Sequence, residues 1–124
     1  MDKKTIGNAG ESAVCGYLMR RGFKIISRNF RTRFGEIDII AQKKNFISFV
    51  EVKTRQQNSI VSGVDAVGFK KQQRIIMAAK EFILRKGYQE LQPVFDVAEV
   101  TDRKRPFFRY KINYIQNAFS DNYF

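Results

Sequence analysis

The stretch GEIDIIAQKKNFISFVEVKTR, residues 35–55, contains two apolar segments separated by a short polar one. Residues 36–41 and 46–53 are rich in β-branched and aromatic side chains, which is typical of strands, and residues 42–45 form a polar turn. The stretch therefore predicts a β-hairpin in the interior of a sheet. Its two strands carry acidic side chains among their apolar ones, and central strands rarely hold charges without a role.

The alternation of side chains along each strand determines where these acids point. It places Glu36 and Asp38 on one face of the first strand, and Glu51 and Lys53 on one face of the second. A turn with an even number of residues then brings Asp38 and Glu51 to the same side, about 5 to 8 Å apart. Two unit charges about 5 Å apart repel by roughly 3 kcal/mol at an effective dielectric of 20.

Three arrangements would offset this repulsion: an ion pair with Lys53, a proton shared by the carboxylates, or a divalent cation bound by both. The spacing also leaves open an exposed hairpin face, on which Glu51 and Lys53 form a weak surface ion pair.

The charge of the chain indicates a polyanionic partner. There are 23 Lys and Arg against 12 Asp and Glu, a net charge of +11, and such a surface concentrates nucleic acid around it. A solubilising coat is the alternative. The absence of histidine excludes Ser-His-Asp triads, Cys-His pairs and His-ligated metals, so acid–base work falls to carboxylates, Lys or Tyr. The single cysteine, Cys15, is expected to be a buried thiol.

The length of 124 residues predicts one domain over residues 1–124. No apolar run approaches the roughly 20 residues that a membrane span requires. The N-terminus has no export signal, which predicts a soluble, cytoplasmic protein without a membrane partner.

The periodicity of apolar residues predicts the order α-β-β-β-α-β-β, hence a mixed sheet with helices packed on its faces. The predicted elements are a helix over 8–21, strands over 23–28, 36–41 and 46–53, a helix over 65–86, and strands over 94–100 and 108–114.

Glu11 is the unusual member of the first predicted helix. It shares a face with Val14, Cys15 and Leu18, so it is expected to point at whatever that apolar stripe packs on. Asn8 is a plausible N-cap, and Asn8 with Glu11 would then form a capping box, which is the alternative role for this carboxylate.

Asp38, followed after the turn by Glu51-Val52-Lys53, resembles the signature of the PD-(D/E)XK nuclease superfamily. Over nearly the whole chain, the sequence resembles the YraN-like family of small bacterial proteins. Two positions depart from the family pattern, since no proline precedes Asp38 and Val94 stands where arginine is frequent. The motifs that carry the resemblance are Gly10-Glu11-Ser12-Ala13, Arg28-Asn29-Phe30-Arg31, Gly35-Glu36-Ile37-Asp38, residues 49–55, Lys71 with Arg74, and Phe95-Asp96-Val97.

This resemblance implies an α/β, restriction-endonuclease-like core of order α-β-β-β-α-β, with a mixed central sheet flanked by helices and similar to archaeal Holliday-junction resolvases. It further implies that Asp38, Glu51 and the carbonyl of Val52 coordinate Mg²⁺, for which Mn²⁺ can substitute. Lys53 would stabilise the attacking water in its deprotonated form, and Glu11 would hold a metal-bound water or a second ion.

The function that follows is a metal-dependent endonuclease acting on DNA, with branched DNA as one substrate class. Arg31, Arg55, Lys71 and Arg74 are the candidates for contacts to backbone phosphates, and Gln72 either supports the site or serves the helix entrance. Symmetric cutting of a junction would require a homodimer. Two alternatives stay open: a nucleic-acid-binding protein of the same fold without catalysis, and an interaction protein whose basic face serves a protein partner.

Overall fold

The computed structural model describes residues 3–56 and 67–120, with the side chains of residues 8–55 and 67–120. Seven elements follow the predicted order. They are α1 (Lys3–Arg20), β1 (Lys24–Thr32), β2 (Gly35–Lys43), β3 (Phe46–Gln56), α2 (Phe69–Lys86), β4 (Gln92–Asp102) and β5 (Tyr110–Phe119).

The five strands form one mixed sheet in the order β1-β2-β3-β4-β5. β3 and β4 are parallel and every other neighbouring pair is antiparallel. The parallel pair arises because α2 lies between β3 and β4 in the chain, and parallel strands need such a crossover. The predicted core order and the mixed sheet flanked by helices are confirmed.

The two helices cover opposite faces of the sheet. Phe49 belongs to the core beneath α2, where it packs on Phe82, whereas the next residue, Val50, belongs to the core beneath α1 with Val14 and Leu18. Because side chains alternate along β3, Glu51 and Lys53 continue the α2 side. Cys15 lies in the α1 core as a free, buried thiol, as predicted. Neither helix of the described residues is long and apolar enough to cross a membrane.

The helix starts differ from the prediction. α1 begins at Lys3, so Asn8 lies inside the helix and the capping-box interpretation of Asn8 with Glu11 is wrong. α2 begins at Phe69 with Gly68 as N-cap, after the predicted start near residue 65, which lies outside the described residues. Gln72 Nε2 donates to the carbonyl of Val67 at 2.9 Å, so its amide serves the helix entrance.

The strand bounds also differ: β1 continues to Thr32, past the predicted end at residue 28, and the last strand continues to Phe119, past residue 114. The β2–β3 turn comprises only Lys44 and Asn45, because Lys43 already pairs with Phe46; it still has an even number of residues, so the deduced facing of the acids is unchanged. The last strand starts at Tyr110 and not at Phe108, which has a φ of 52° outside the strand. Alternation alone extended this strand too far toward its N-terminus.

A buried carboxylate joins β4 to β5. Asp96 is 2% exposed and accepts hydrogen bonds from the Tyr114 hydroxyl at 2.5 Å and from the Asn117 amide at 2.8 Å. Burial raises the pKa of Asp96 despite these donors. The register of β4 and β5 shifts between Phe95 and Val97, at the position of this carboxylate.

Removing the Tyr114 hydroxyl is therefore expected to weaken the fold. Tyr114→Phe leaves one oxygen of buried Asp96 without this donor, which costs about 1–3 kcal/mol. Urea denaturation measures the difference, with Tyr110→Phe on the same strand as the matched control. Equal stability of the Tyr114→Phe and wild-type proteins would show that this bond contributes nothing.

Candidate active site

The β2–β3 ladder ends where the two acids lie. Its last recorded pair is Ile39 with Val50, and the next residues in the same register are Asp38 and Glu51. Both carboxylates line a cleft of about 390 Å³ whose other wall is the first turns of α2. The structure therefore places both carboxylates on the α2 side of the sheet. The residues lining this cleft are Gly35, Glu36, Asp38, Glu51, Lys71, Arg74 and Ile75.

The Asp38 side chain joins β2 to β3 beyond their last backbone pair. The amide of Val52 donates to Asp38 Oδ2 at 2.8 Å. Because a strand residue directs its N–H and C=O to the same neighbour, the Val52 carbonyl also faces the gap between β2 and β3. Burial and the nearby charge of Glu51 raise the pKa of Asp38 to about 8, against the Val52 hydrogen bond, which lowers it.

Glu51 is 4% exposed and is held by two ammonium groups. Lys71 Nζ lies 2.6 Å and Lys53 Nζ 3.5 Å from the same oxygen, Oε1. Burial and the neighbouring Lys71 lower the pKa of Lys53. Burial also acts to lower the pKa of Lys71, but its hydrogen bond and attraction to Glu51 raise that pKa overall.

Glu11 approaches from the other face of the sheet. It projects from α1, is 9% exposed, and its Oε1 has no hydrogen-bond partner among the described residues. Burial raises its pKa, which Arg28 and a hydrogen bond with Asn29 counteract. Glu11 is near enough to raise the pKa of Asp38, but it is not among the residues that line the cleft.

A close approach of α1 to β3 positions Glu11. A Cβ atom at the neighbouring Gly10 would lie 2.4 Å from Thr54 Oγ1, and threonine has few alternative rotamers. Only glycine lets the helix backbone pass this near the end of β3.

The four predicted phosphate-binding residues have different surroundings. Arg31 is 81% exposed and pairs with Glu36 at 3.0 Å, and Arg74 is exposed at the rim of the cleft. Arg55 has a largely buried side chain that lies 3.4 Å from Glu99. Lys71 and Arg74 line the cleft, and Lys71 is bonded to Glu51. Arg31 adjoins the cleft through its pair with Glu36, and Arg55 is not among the residues that line it.

Direct contact between Lys71 and Glu51 was not anticipated from the sequence. Lys71 precedes buried Ile75 by four residues, so it lies one turn away on the inward face of α2. This four-residue spacing could have predicted from the sequence that the Lys71 side chain points toward the sheet. Glu36, which pairs with Arg31 at the rim, was likewise not singled out as a site residue.

The donor set suits a hard cation. Two carboxylates and a backbone carbonyl are oxygen ligands, and Mg²⁺ is commonly held by one or two carboxylates while it keeps waters and meets a phosphate. Within residues 3–56 and 67–120, no group of three or more acidic, His or Cys side chains is arranged to hold a metal. A cation here would thus depend on Asp38, Glu51 and Val52 together with water and substrate oxygens.

Comparison with known proteins gives a consistent family. Residues 10–100 match the model described as "Uncharacterised protein family UPF0102". The UPF0102 protein of Caldanaerobacter subterraneus subsp. tengcongensis is 42% identical over 119 residues, covering 96% of this chain and 98% of the relative. That of Alkaliphilus metalliredigens is 46% identical over 116 residues, covering 94% and 98%. One from Clostridium botulinum is 42% identical over 117 residues, covering 94% of each. The chain therefore belongs to the YraN-like UPF0102 family.

Proposed function

We propose that this protein is a divalent-metal-dependent endonuclease of the PD-(D/E)XK type that hydrolyses phosphodiester bonds in DNA. The observation that carries this proposal is the position of Asp38 and Glu51 side by side beyond the last β2–β3 pair, with Lys53 on the same face. An open cleft at this point gives a phosphate access to both carboxylates. The net charge of +11 supports a polyanionic substrate.

Each residue of the cleft has a role in this mechanism. Asp38, Glu51 and the Val52 carbonyl would hold Mg²⁺, which supplies positive charge at the scissile phosphate and makes water more acidic. Lys53 Nζ donates hydrogen bonds to the attacking water and to the phosphoryl oxygens. Glu11, whose Oε1 lacks a partner among the described residues, accepts a hydrogen bond from a water at the edge of the site.

Substrate binding also gives Lys71 a second role. In the structure, Lys71 supplies counter-charge to Glu51, an acid that is costly to bury alone. A cation bound by Glu51 would take over this neutralisation, and the flexible Lys71 side chain would then reach a phosphate oxygen. Arg74 and Arg31 at the rim contact neighbouring phosphates without reading the base sequence.

A nuclease screen tests the proposal. Branched, single-stranded and duplex DNA are each incubated with Mg²⁺, Mn²⁺ or EDTA, beside the Glu51→Ala protein. We expect the wild type to cleave DNA with either metal. We expect no cleavage in EDTA and none by the Glu51→Ala protein. If the Glu51→Ala protein retains the cutting activity, that activity does not come from this cleft.

A nucleic-acid-binding protein without catalysis is the second candidate. It is favoured by the two lysines on Glu51 Oε1, which neutralise this acid without a metal. Both candidates bind DNA less tightly as salt rises, because phosphate contacts release counterions. Calorimetric titration with Mg²⁺ and Mn²⁺, with and without DNA, separates them, since only the first candidate requires uptake of the ion.

A further inference from the structure

The connection between β4 and β5, residues 103–109, presents two phenylalanine side chains to solvent. Phe107 is 77% and Phe108 81% exposed, whereas Phe49, Phe82 and Phe95 lie in the core. We call this segment the β4–β5 loop. It also carries Arg103, Lys104, Arg105 and Arg109, so four basic residues flank its two rings in the chain.

Hydrogen bonds organise the β4–β5 loop. The Arg103 guanidinium donates to the Phe108 carbonyl, and Arg105 Nε donates to the Phe107 carbonyl at 3.1 Å. At the base of the loop, Arg109 pairs with Asp102 through two contacts of 2.7 and 2.9 Å. The two exposed rings are thus held in a turn that is stabilised by hydrogen bonds.

The backbone at Phe108 is unfavourable for a bulky residue. Its φ of 52° lies in the left-handed region, which favours glycine, asparagine and aspartate. A ring that is 81% exposed contributes little burial in return. Burial therefore does not account for phenylalanine at this position, and backbone strain of this kind clusters at functional sites.

The β4–β5 loop leaves the sheet at the end toward which the cleft extends, because Gly35 and Glu36 line the cleft and begin β2, which runs antiparallel to β3. β3 and β4 run parallel, with Glu51 beside Val97 and Gln56 beside Asp102. Five residues separate these two rows, which corresponds to about 16 Å along the strands. A nucleic acid bound at the carboxylates that continues toward this end of the sheet would come within reach of the two rings.

We propose that the β4–β5 loop binds unpaired bases of nucleic acid, with Phe107 and Phe108 stacking on the bases and the loop cations contacting the phosphates. Aromatic side chains stack on any base, and basic groups track the backbone of single strands. The inference rests on the proposed nucleic-acid substrate and narrows it to strands with unpaired bases next to the cut: single-stranded, gapped or branched molecules over continuous duplex.

Binding measurements in EDTA test this inference apart from cleavage. Fluorescence anisotropy compares one labelled sequence as a single strand, a gapped duplex and a continuous duplex. The variants are Phe107→Ala, Phe108→Asn and the double variant; Phe46→Ala, an exposed phenylalanine beside Lys43 and Lys44 at the opposite end of the sheet, is the matched control.

The expected result is a loss of about 5-fold or more per ring for the single strand and the gapped duplex. The affinity of these variants for continuous duplex should change little, and the Phe46→Ala protein should bind all three ligands about as tightly as the wild type. Phe108→Asn should melt at or above the wild-type temperature, because asparagine suits the left-handed backbone, which separates loss of binding from loss of folding. Lys104→Gln should lower the affinity for all three ligands alike and reduce the salt dependence of binding.

Unchanged affinity of the double variant for unpaired DNA overturns the inference, as does a wild type that binds none of the ligands. So does a double variant whose only defect lies in self-association, or in binding to anionic vesicles, both of which also use exposed rings beside cations. Ring-dependent binding without metal-dependent cleavage would leave the loop assignment standing and remove the proposed hydrolysis. Cleavage that is independent of the rings would do the reverse.

Discussion

The Asp38→Asn protein is expected to cleave DNA at least about 100-fold more slowly than the wild type at saturating Mg²⁺. The amide keeps an oxygen that can accept the Val52 hydrogen bond, so the local fold is preserved. It lacks the negative charge that a divalent cation requires. Initial rates of cleavage of a labelled substrate measure the effect, and Glu90→Gln, the same kind of change at an exposed turn, is the matched control.

The Lys53→Ala protein is expected to show a comparable loss of rate, because it lacks the ammonium group beside the attacking water. DNA affinity in EDTA should change little in either variant, because many phosphate contacts together supply most of the binding energy. Full activity in both variants would remove the mechanism and favour the binding protein without catalysis.

The same Asp38→Asn substitution is expected to stabilise the metal-free protein at alkaline pH. The folded protein raises the pKa of Asp38 from 3.8 to about 8 through burial and the charge of Glu51, with a further contribution from Glu11. Lys71 and the Val52 amide oppose this shift. Because the folded pKa exceeds the unfolded one, the contribution of Asp38 to stability is complete below about pH 4. It is lost as the pH rises through about 8.

Each pKa unit corresponds to about 1.4 kcal/mol, so wild-type stability should fall by about 2–5 kcal/mol relative to the variant between pH 4 and 9. This corresponds to a melting temperature about 5–15 °C higher for Asp38→Asn at pH 9. Thermal melts of both proteins in EDTA across this pH range measure the difference. The comparison isolates Asp38, because the other titrating acids are the same in both proteins. At pH 8, Mg²⁺ should raise the melting temperature of the wild type and not of the variant. If the melting temperatures of the two proteins change with pH in the same way, ionisation of Asp38 does not destabilise the fold.

Under the proposed function, this opposition between stability and function would explain the acids of the central hairpin. A charge pair that repels in the metal-free protein costs free energy of folding, and the proposed site would require that arrangement in order to receive a doubly charged ion. The second, exposed example is Phe108, whose backbone also departs from what folding alone favours.

Much of this architecture could be predicted because it depends on local periodicity. The alternation along β2 and β3 and an even turn are enough to put Asp38 and Glu51 on one side, whatever surrounds them. Helix stops at Gly22 and Gly87 follow from their positive φ angles of 89° and 81°. The start of α2 was less predictable, because its N-cap, Gly68, provides no capping side chain.

The sequence by itself determined the order of the elements, the family, and the side of the hairpin on which its acids lie, since these follow from short-range repeats and from motifs. Only the tertiary structure decided that Lys71 neutralises Glu51 and that Glu11 approaches from the opposite face. It also decided that Phe107 and Phe108 are exposed in the loop at the end of the sheet toward which the cleft extends. These contacts join segments that are distant in sequence, and how helices pack on a twisted sheet determines which side chains meet.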